Sequence, residues 1–157
     1  LQNCQLAARI HLGGVFGSWR SRHRALEVDQ RALEVLETCQ LVHRAHTPAS
    51  AMSYGEQRQL QIAMVLATAP KLMLLDEPMA GMGREETAQV TELLKGLSDR
   101  YPLVLIEHDM DSVFRLADRI TVMVDGCVLE TGPTAQIRAS ERVRDVYLGR
   151  HHEESAA

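Results

Sequence analysis

Two carboxylates stand directly after an apolar run: Leu72, Met73, Leu74 and Leu75 are followed by Asp76 and Glu77. Such a run reads as a strand buried on both faces of a parallel sheet, and ligands bind beyond the carboxyl ends of such strands. Asp76 is placed there to hold Mg²⁺, which takes one or two carboxylates plus waters and nucleotide phosphates. Glu77 can then orient or deprotonate water attacking a γ-phosphate. Two solvated acids ending a strand give the same short pattern, so the pair does not stand alone. A second apolar run, residues 103–106, ends in Glu107 and His108. If the two strands are neighbours, His108 opens into the same crevice and can hydrogen-bond the γ-phosphate; capping or core packing is the alternative for a single histidine. Ser53-Tyr54-Gly55-Glu56 precedes a helical apolar pattern and offers a hydroxyl, free backbone N–H groups and the positive end of a helix dipole. An anion can dock there, and an ordinary capping box has the same residues.

The elements that must position these groups follow from periodicity. Leu26, Leu33, Leu36 and Cys39 mark the apolar face of a helix over residues 25–42, broken by Thr47, Pro48, Ala49 and Ser50. Ser53 starts the next helix, with Leu60, Ala63, Met64 and Ala67 on one face and a stop near Ala69 set by Pro70. Val90, Leu93, Leu94 and Leu97 predict a helix between the two apolar strands, giving a strand-helix-strand unit. A helix from Asp109 carries Met110, Val113, Phe114 and Ala117 on one face. Residues 120–124 and 127–130 then pair across Asp125-Gly126, the dipeptide of a type I′ turn. Thr134 is expected to cap a short helix, and Val143, Val146 and Tyr147 form a last apolar stripe. The organisation is α/β with a helical portion over residues 1–69, an α/β portion over 70–149 and a polar tail over 150–157; no internal repeat is visible.

With 45% hydrophobic and 24% charged residues the chain has the composition of one ordinary globular domain or most of one. Ten Gly and five Pro exclude collagen-like and low-complexity classes, and no apolar run reaches the roughly 18 residues of a membrane span, so a water-soluble chain is expected. Seventeen basic against 21 acidic side chains, net charge −4, give neither a nucleic-acid footprint nor a polybasic membrane anchor. Cys4, Cys39 and Cys127 have no disulfide or zinc spacing, which fits a reducing compartment. His43 and His46, and His151 and His152, lack further ligands, and Arg20, Arg22, His23 and Arg24 beside Trp19 read as a solvated basic loop.

Met52-Ser53-Tyr54-Gly55-Glu56-Gln57-Arg58, then Leu72-Met73-Leu74-Leu75-Asp76-Glu77-Pro78, then Leu105-Ile106-Glu107-His108-Asp109-Met110 resemble, in this order and spacing, the ATP-binding cassette ATPases of transporters. The resemblance runs from near Leu1 to Gly149 and is to the carboxyl-terminal part of such a subunit. It implies a P-loop NTPase-like fold, a mostly parallel sheet with flanking helices plus part of a helical subdomain. It makes the three segments the signature motif, Walker B with its catalytic Glu77, and the loop of the switch histidine, His108. It implies that Ser53, Gly55 and Glu56 address ATP held by a second ATPase subunit, with Asp76 on Mg²⁺, in a dimer closing head to tail around two nucleotides. Permease subunits, an indirect periplasmic binding protein and a place on the inner face of the cell membrane come with the family, and no nucleic-acid partner.

Glu107-His108-Asp109-Met110, the run from Asp76 to Met82 and the ending Val146-Tyr147-Leu148-Gly149 look like the branched-chain amino acid importer subfamily, with urea or amide importers as the alternative. Departures from the pattern are Tyr54 where Gly is usual, Glu56 where Gln is usual and Gly83 where Asp or Asn is usual. No G-x-x-x-x-G-K-[ST] is present: the two lysines, Lys71 and Lys95, follow Pro70 and precede Gly96, and the cluster Gly13-Gly14-Val15-Phe16-Gly17 has no lysine after it. The chain is therefore expected to be an amino-terminally truncated piece, inactive alone, or else a non-catalytic degenerate cassette acting as an interaction partner.

Overall fold

The computed structural model describes residues 1–13 and 22–146, which form two compact units, Leu1–Glu107 and the residues from His108 onward. The Gly13–Gly17 cluster beyond Gly13, the basic group at Trp19 and Arg20, residues 147–149 and the tail lie outside the described residues.

The first unit opens with α1 (Gln2–Gly13) and α2 (Arg22–Thr38), joined through two 3-10 turns, Val42–Arg44 and Ala49–Ala51, to α3 (Tyr54–Ala67). Cys4, Ala7 and Ala8 of α1, Val28, Ala32, Val35 and Leu36 of α2 and Leu60, Ile62, Ala63, Leu66 and Ala67 of α3 are buried. The small residues allow close helix approach, and the branched ones supply the apolar area removed from water. Here α2 departs from the sequence expectation. Leu36 and Cys39 point inward, but Leu26 and Leu33 are exposed, at 67% and 45%. The face that packs is 28, 32, 35, 36 and 39, which has an equally good helical spacing and is selected by α1 and α3. Cys4 and Cys39 are free thiols inside this core, and burial, with Cys4 adding to it, pushes Cys39 up to about 12, so it is held as an inert thiol.

α3 is capped at both ends. The Ser53 hydroxyl accepts from the Glu56 N–H at 3.2 Å and the Glu56 carboxylate accepts from the Ser53 N–H at 2.9 Å, a complete capping box. The other Glu56 oxygen receives Arg44 Nε at 2.7 Å, with His43 Nε2 at 3.9 Å. At the far end Arg31 Nη2 donates to the Leu66 carbonyl at 2.7 Å. The helix stops at Ala67, two residues before the expected point, because Thr68 and left-handed Ala69 (φ 49°) fold their N–H groups back onto Val65 and Leu66 ahead of Pro70.

β1 (Met73–Asp76), α4 (Arg84–Ser98) and β2 (Leu103–Ile106) make the expected strand-helix-strand unit. The strands pair in parallel, Met73 opposite Leu103 and Asp76 opposite Ile106, so their carboxyl ends lie side by side. Val90, Leu93, Leu94 and Leu97 bury one face of α4 as expected. Burial on both strand faces is not observed. Met73 is buried, but Leu74, Val104 and Ile106 are 70%, 49% and 61% exposed, because among the described residues nothing packs on that side of the two-stranded sheet.

The second unit contains α5 (Met110–Leu116), the antiparallel hairpin of β3 (Arg119–Val124) and β4 (Cys127–Pro133), and α6 (Thr134–Ala139). Asp125 (φ 50°) and Gly126 (φ 78°) make the two-residue turn, whose second position needs a left-handed residue. Ile120, Val122, Ile137 and Val143 form the core, with Val113, Phe114 and Ala117 of the expected α5 face packed on it. The expected cap of α6 is corrected: Pro133 occupies the N-cap, and the Thr134 hydroxyl donates instead to the Ala117 carbonyl, tying the hairpin exit to the end of α5.

Glu56 has its pKa lowered, first by the Ser53 backbone N–H and then by Arg44. Its stabilising effect is present above the ordinary carboxylate pKa and is lost as pH falls through the lowered folded value. Glu56→Gln is expected to cost about 1 kcal/mol in urea unfolding at pH 7, with the deficit shrinking as pH is lowered below the ordinary carboxylate range; a deficit that does not change with falling pH contradicts the assignment. The open face predicts concentration-dependent self-association of the wild-type chain by light scattering, suppressed by Leu74→Glu with Val104→Lys. Equal association of the two proteins would place the contact elsewhere.

Candidate nucleotide and phosphate site

Asp76 is the last residue of β1, exposed at the strand's carboxyl end, and Glu77 makes the turn that follows. Glu77 is itself left-handed, φ 44°, a region that costs a non-glycine residue roughly 1 kcal/mol or more and is held only where surrounding bonds over-determine it. Those bonds are present. The Glu77 N–H donates to the Ile106 carbonyl at 2.9 Å, extending the β1 to β2 ladder by one step. The Glu77 carbonyl accepts from the Ala80 N–H at 3.1 Å and from Arg58 Nη2 of α3 at 3.3 Å. The turn is fixed at a third point, where the Glu107 carboxylate accepts from the Met79 N–H at 2.8 Å. The backbone is thereby locked while the Glu77 residue stays exposed beside the exposed Asp76. A base that must meet water and a metal-bound phosphate needs this arrangement, a rigid support under an accessible carboxylate.

Ser53 and Gly55 sit where the sequence reading put them, at the first turn of α3. Both oxygens of Glu56 are taken up by the capping box and Arg44, so Glu56 acts here by fixing the backbone and hydroxyl of Ser53. The Gly55 N–H points at a further carboxylate that periodicity did not single out: Glu86 Oε1, 3.0 Å away, from the first turn of α4. Glu86 has its pKa lowered, first by the Gly55 N–H, then by the Ser53 hydroxyl. A Cβ added at Gly55 would lie 3.0 Å from the Glu86 Cγ and Oε1, so any larger residue there would push this carboxylate back from the helix start. Arg58 also extends over the Tyr54 ring, 6.0 Å from its centre, so Tyr54 packs on the guanidinium that holds Glu77.

His108 follows Glu107 directly and is exposed in the second unit; its neighbour Asp109 is the N-cap of α5, accepting from Asp111 N–H at 3.3 Å and from the Ser112 hydroxyl at 2.5 Å. Of the predicted site residues, the structure thus brings Asp76 and Glu77 together at one strand end and Ser53, Gly55 and Glu56 at one helix start, with Arg58 linking the two segments. Sequence reasoning missed Arg58, Glu86 and the bond made by Glu107. Arg58 and Glu107 belong to the quoted motifs but gave no sign of their partners, and Glu86 lies 31 residues from Gly55 with no periodic relation to it. Among the described residues no cluster of three or more His, Cys, Asp or Glu could hold a metal ion, and no helix is long and apolar enough to cross a membrane.

The branched-chain amino acid transport ATP-binding protein LivG of Escherichia coli is 39% identical over 132 residues, covering 83% of this chain and 51% of LivG. Its counterpart BraF of Pseudomonas aeruginosa is 36% identical over 156 residues, covering 95% of this chain and 61% of BraF. The chain therefore spans about half the length of relatives such as LivG. Among solved structures, MJ1267, an ATP-binding cassette of an ABC transporter in its ADP conformation, superposes with a TM-score of 0.71 at 23% identity, over 95% of this chain and 65% of that one. CbiO1 of Clostridium perfringens, part of the CbiONQ transporter complex, gives 0.70 at 24%, over 89% and 57%. These two likenesses establish a shared α/β fold. Residues 2–80, which carry both the capped α3 start and the Asp76-Glu77 turn, match the sequence model of the ABC transporters, and with the LivG and BraF identities this places the chain in the ABC transporter family, within its ATP-binding cassette.

Proposed function

We propose that these residues are the signature-to-terminus part of a cassette that binds and hydrolyses Mg-ATP to power an importer of branched-chain or other hydrophobic amino acids. The observation that carries the reading is the locked left-handed turn that holds Glu77, an exposed residue, at the end of a parallel strand pair while Arg58, Ala80, Ile106 and Glu107 fix the backbone of the turn. Residues 1–69 belong to the helical subdomain and 70–149 to the catalytic core in this reading, with 150–157 a polar tail. The names of LivG and BraF support the choice of cargo class.

Asp76 is an exposed, hard oxygen donor of the kind Mg²⁺ takes singly beside phosphates and waters, so the residue present fits the ion, which when bound would neutralise charge on the phosphates. Glu77 takes the proton of the attacking water, and His108 hydrogen-bonds the γ-phosphate. Ser53 and Gly55 present a hydroxyl and a backbone N–H to the γ-phosphate of ATP held by a second cassette, with Glu56 holding Ser53 in place. The P-loop that cradles the β and γ phosphates is not among these 157 residues, so turnover requires one joined to them. The partners are a second cassette and the permease subunits, which place the assembly on the cytoplasmic face of the membrane.

In a cassette that joins a P-loop to these residues, Glu77→Gln should lower kcat by at least about 100-fold with ATP binding retained, since the amide keeps the shape but is no base, and His108→Ala should lower kcat more than it raises KM. Unchanged phosphate release in Glu77→Gln would refute the base assignment. Ser53→Arg should block closure at the site that borrows Ser53. In mixed dimers with a P-loop-dead partner, damage that follows the mutant's own P-loop would show the across-dimer assignment to be wrong.

A further inference from the structure

The phosphate-facing start of α3 already carries an anion from its own chain. Glu86 is the third residue of α4 after the N-cap Gly83, the position from which a glutamate ordinarily bonds back to its own helix start. Here it reaches across to α3 instead and accepts the Gly55 N–H at 3.0 Å. A carboxylate in the first turn of α4 thus sits at the positive end of α3, in close contact with residue 55, where an added Cβ would lie 3.0 Å from it. Glu56, the residue after Gly55, is of like charge and opposes it, but its own charge is met by Arg44. A carboxylate and a phosphate use the same donors, and two anionic oxygens cannot share one N–H at 3 Å without strong repulsion.

We propose that Glu86 is an intramolecular occupant of the Ser53 and Gly55 anion site, which an incoming phosphate must displace. The inference rests on the reading of Ser53 and Gly55 as phosphate ligands. Displacement breaks the hydrogen bond that ties the first turn of α4 to the start of α3, and so loosens the α4 end of the loop 81–83, which leads from the Asp76-Glu77 turn into α4. Arrival of the partner's γ-phosphate at Ser53 is thereby transmitted to the chain's own metal and base carboxylates. Without phosphate the carboxylate keeps the site closed and its donors satisfied.

Hydrogen-deuterium exchange of the 157-residue chain, at low micromolar concentration with fragmentation that resolves Gly55, tests this with inorganic phosphate as the probe. Glu86→Ala, and more weakly Glu86→Gln, should speed Gly55 amide exchange by about tenfold, with the amides of 90–97 unchanged as the control for an intact α4. Phosphate should then restore protection in Glu86→Ala at a concentration at least about tenfold below any effect on wild type, and Ser53→Ala in that background should abolish the restoration. If Gly55 exchange is the same with and without the Glu86 carboxylate, the occupant proposal falls and the phosphate reading of Ser53 is untouched. If wild type and Glu86→Ala respond to phosphate equally, the site binds phosphate and the displacement proposal falls. If exchange speeds up but phosphate protects neither protein, the phosphate reading itself fails, and the proposal with it.

Discussion

A helix start leaves its first N–H groups without carbonyl partners, and the arrangement of the first unit depends on how the start of α3 is supplied. Ser53 accepts one N–H, Glu56 returns to the Ser53 N–H, and Glu86 comes from another helix to take that of Gly55. The negative charges drawn there must themselves be compensated, which is the work of Arg44 and, when protonated, His43 on Glu56. An oxyanion from outside meets the same donors on the same terms. In the proposed reading the bonds that stabilise the fold are the same ones that would recognise phosphate, so Gly55 and Ser53 would serve both.

The second constraint is the parallel pairing of β1 and β2. Because Asp76 lies opposite Ile106, the Glu77 N–H finds the Ile106 carbonyl and the ladder carries the chain into the left-handed turn. Glu107, the residue just after β2, then clamps the Met79 N–H, so the ends of both strands contribute to the turn that holds Glu77. Arg58 brings the helix start and the strand end into one bonded system, with Tyr54 lying along its guanidinium. Tyr54 stands where the family usually has Gly, and its ring gives Arg58 an apolar and π surface that glycine could not.

The second unit is built by different means. Its hairpin is closed by the local chemistry of Asp125 and Gly126, and its small core joins the strands to α6 through Ile137 and to the segment beyond it through Val143. Glu130 links the hairpin to α6 and the residue beyond it, accepting from Gln136 at 3.1 Å and from the Ser140 hydroxyl at 2.6 Å. Arg138 lies 4.6 Å from the centre of the Phe114 ring, a cation–π contact between α6 and α5.

What the sequence determined by itself were features set by near neighbours in the chain. The capping box at Ser53 and Glu56, the apolar face of α4, the two short strands with acids at their ends and the type I′ turn at Asp125-Gly126 each follow from side-chain chemistry and spacing within a few residues. The three motifs in order also fixed the family. Tertiary structure decided whatever depended on a distant partner. The α2 pattern admitted two apolar faces, and α1 and α3 chose the one with Val28 and Ala32 over the one with Leu26 and Leu33. Pro133 took the cap expected of Thr134, whose hydroxyl donates instead to the distant Ala117 carbonyl. The exposure of Leu74, Val104 and Ile106 reflects what packs on a sheet, which a strand's own composition does not encode. Glu86 reaching Gly55, and Arg58 reaching the Glu77 carbonyl, are contacts made only when α3, α4 and the β1 turn are brought together, since a hydrogen bond acts over about 3 Å in space and leaves no periodic mark along the chain.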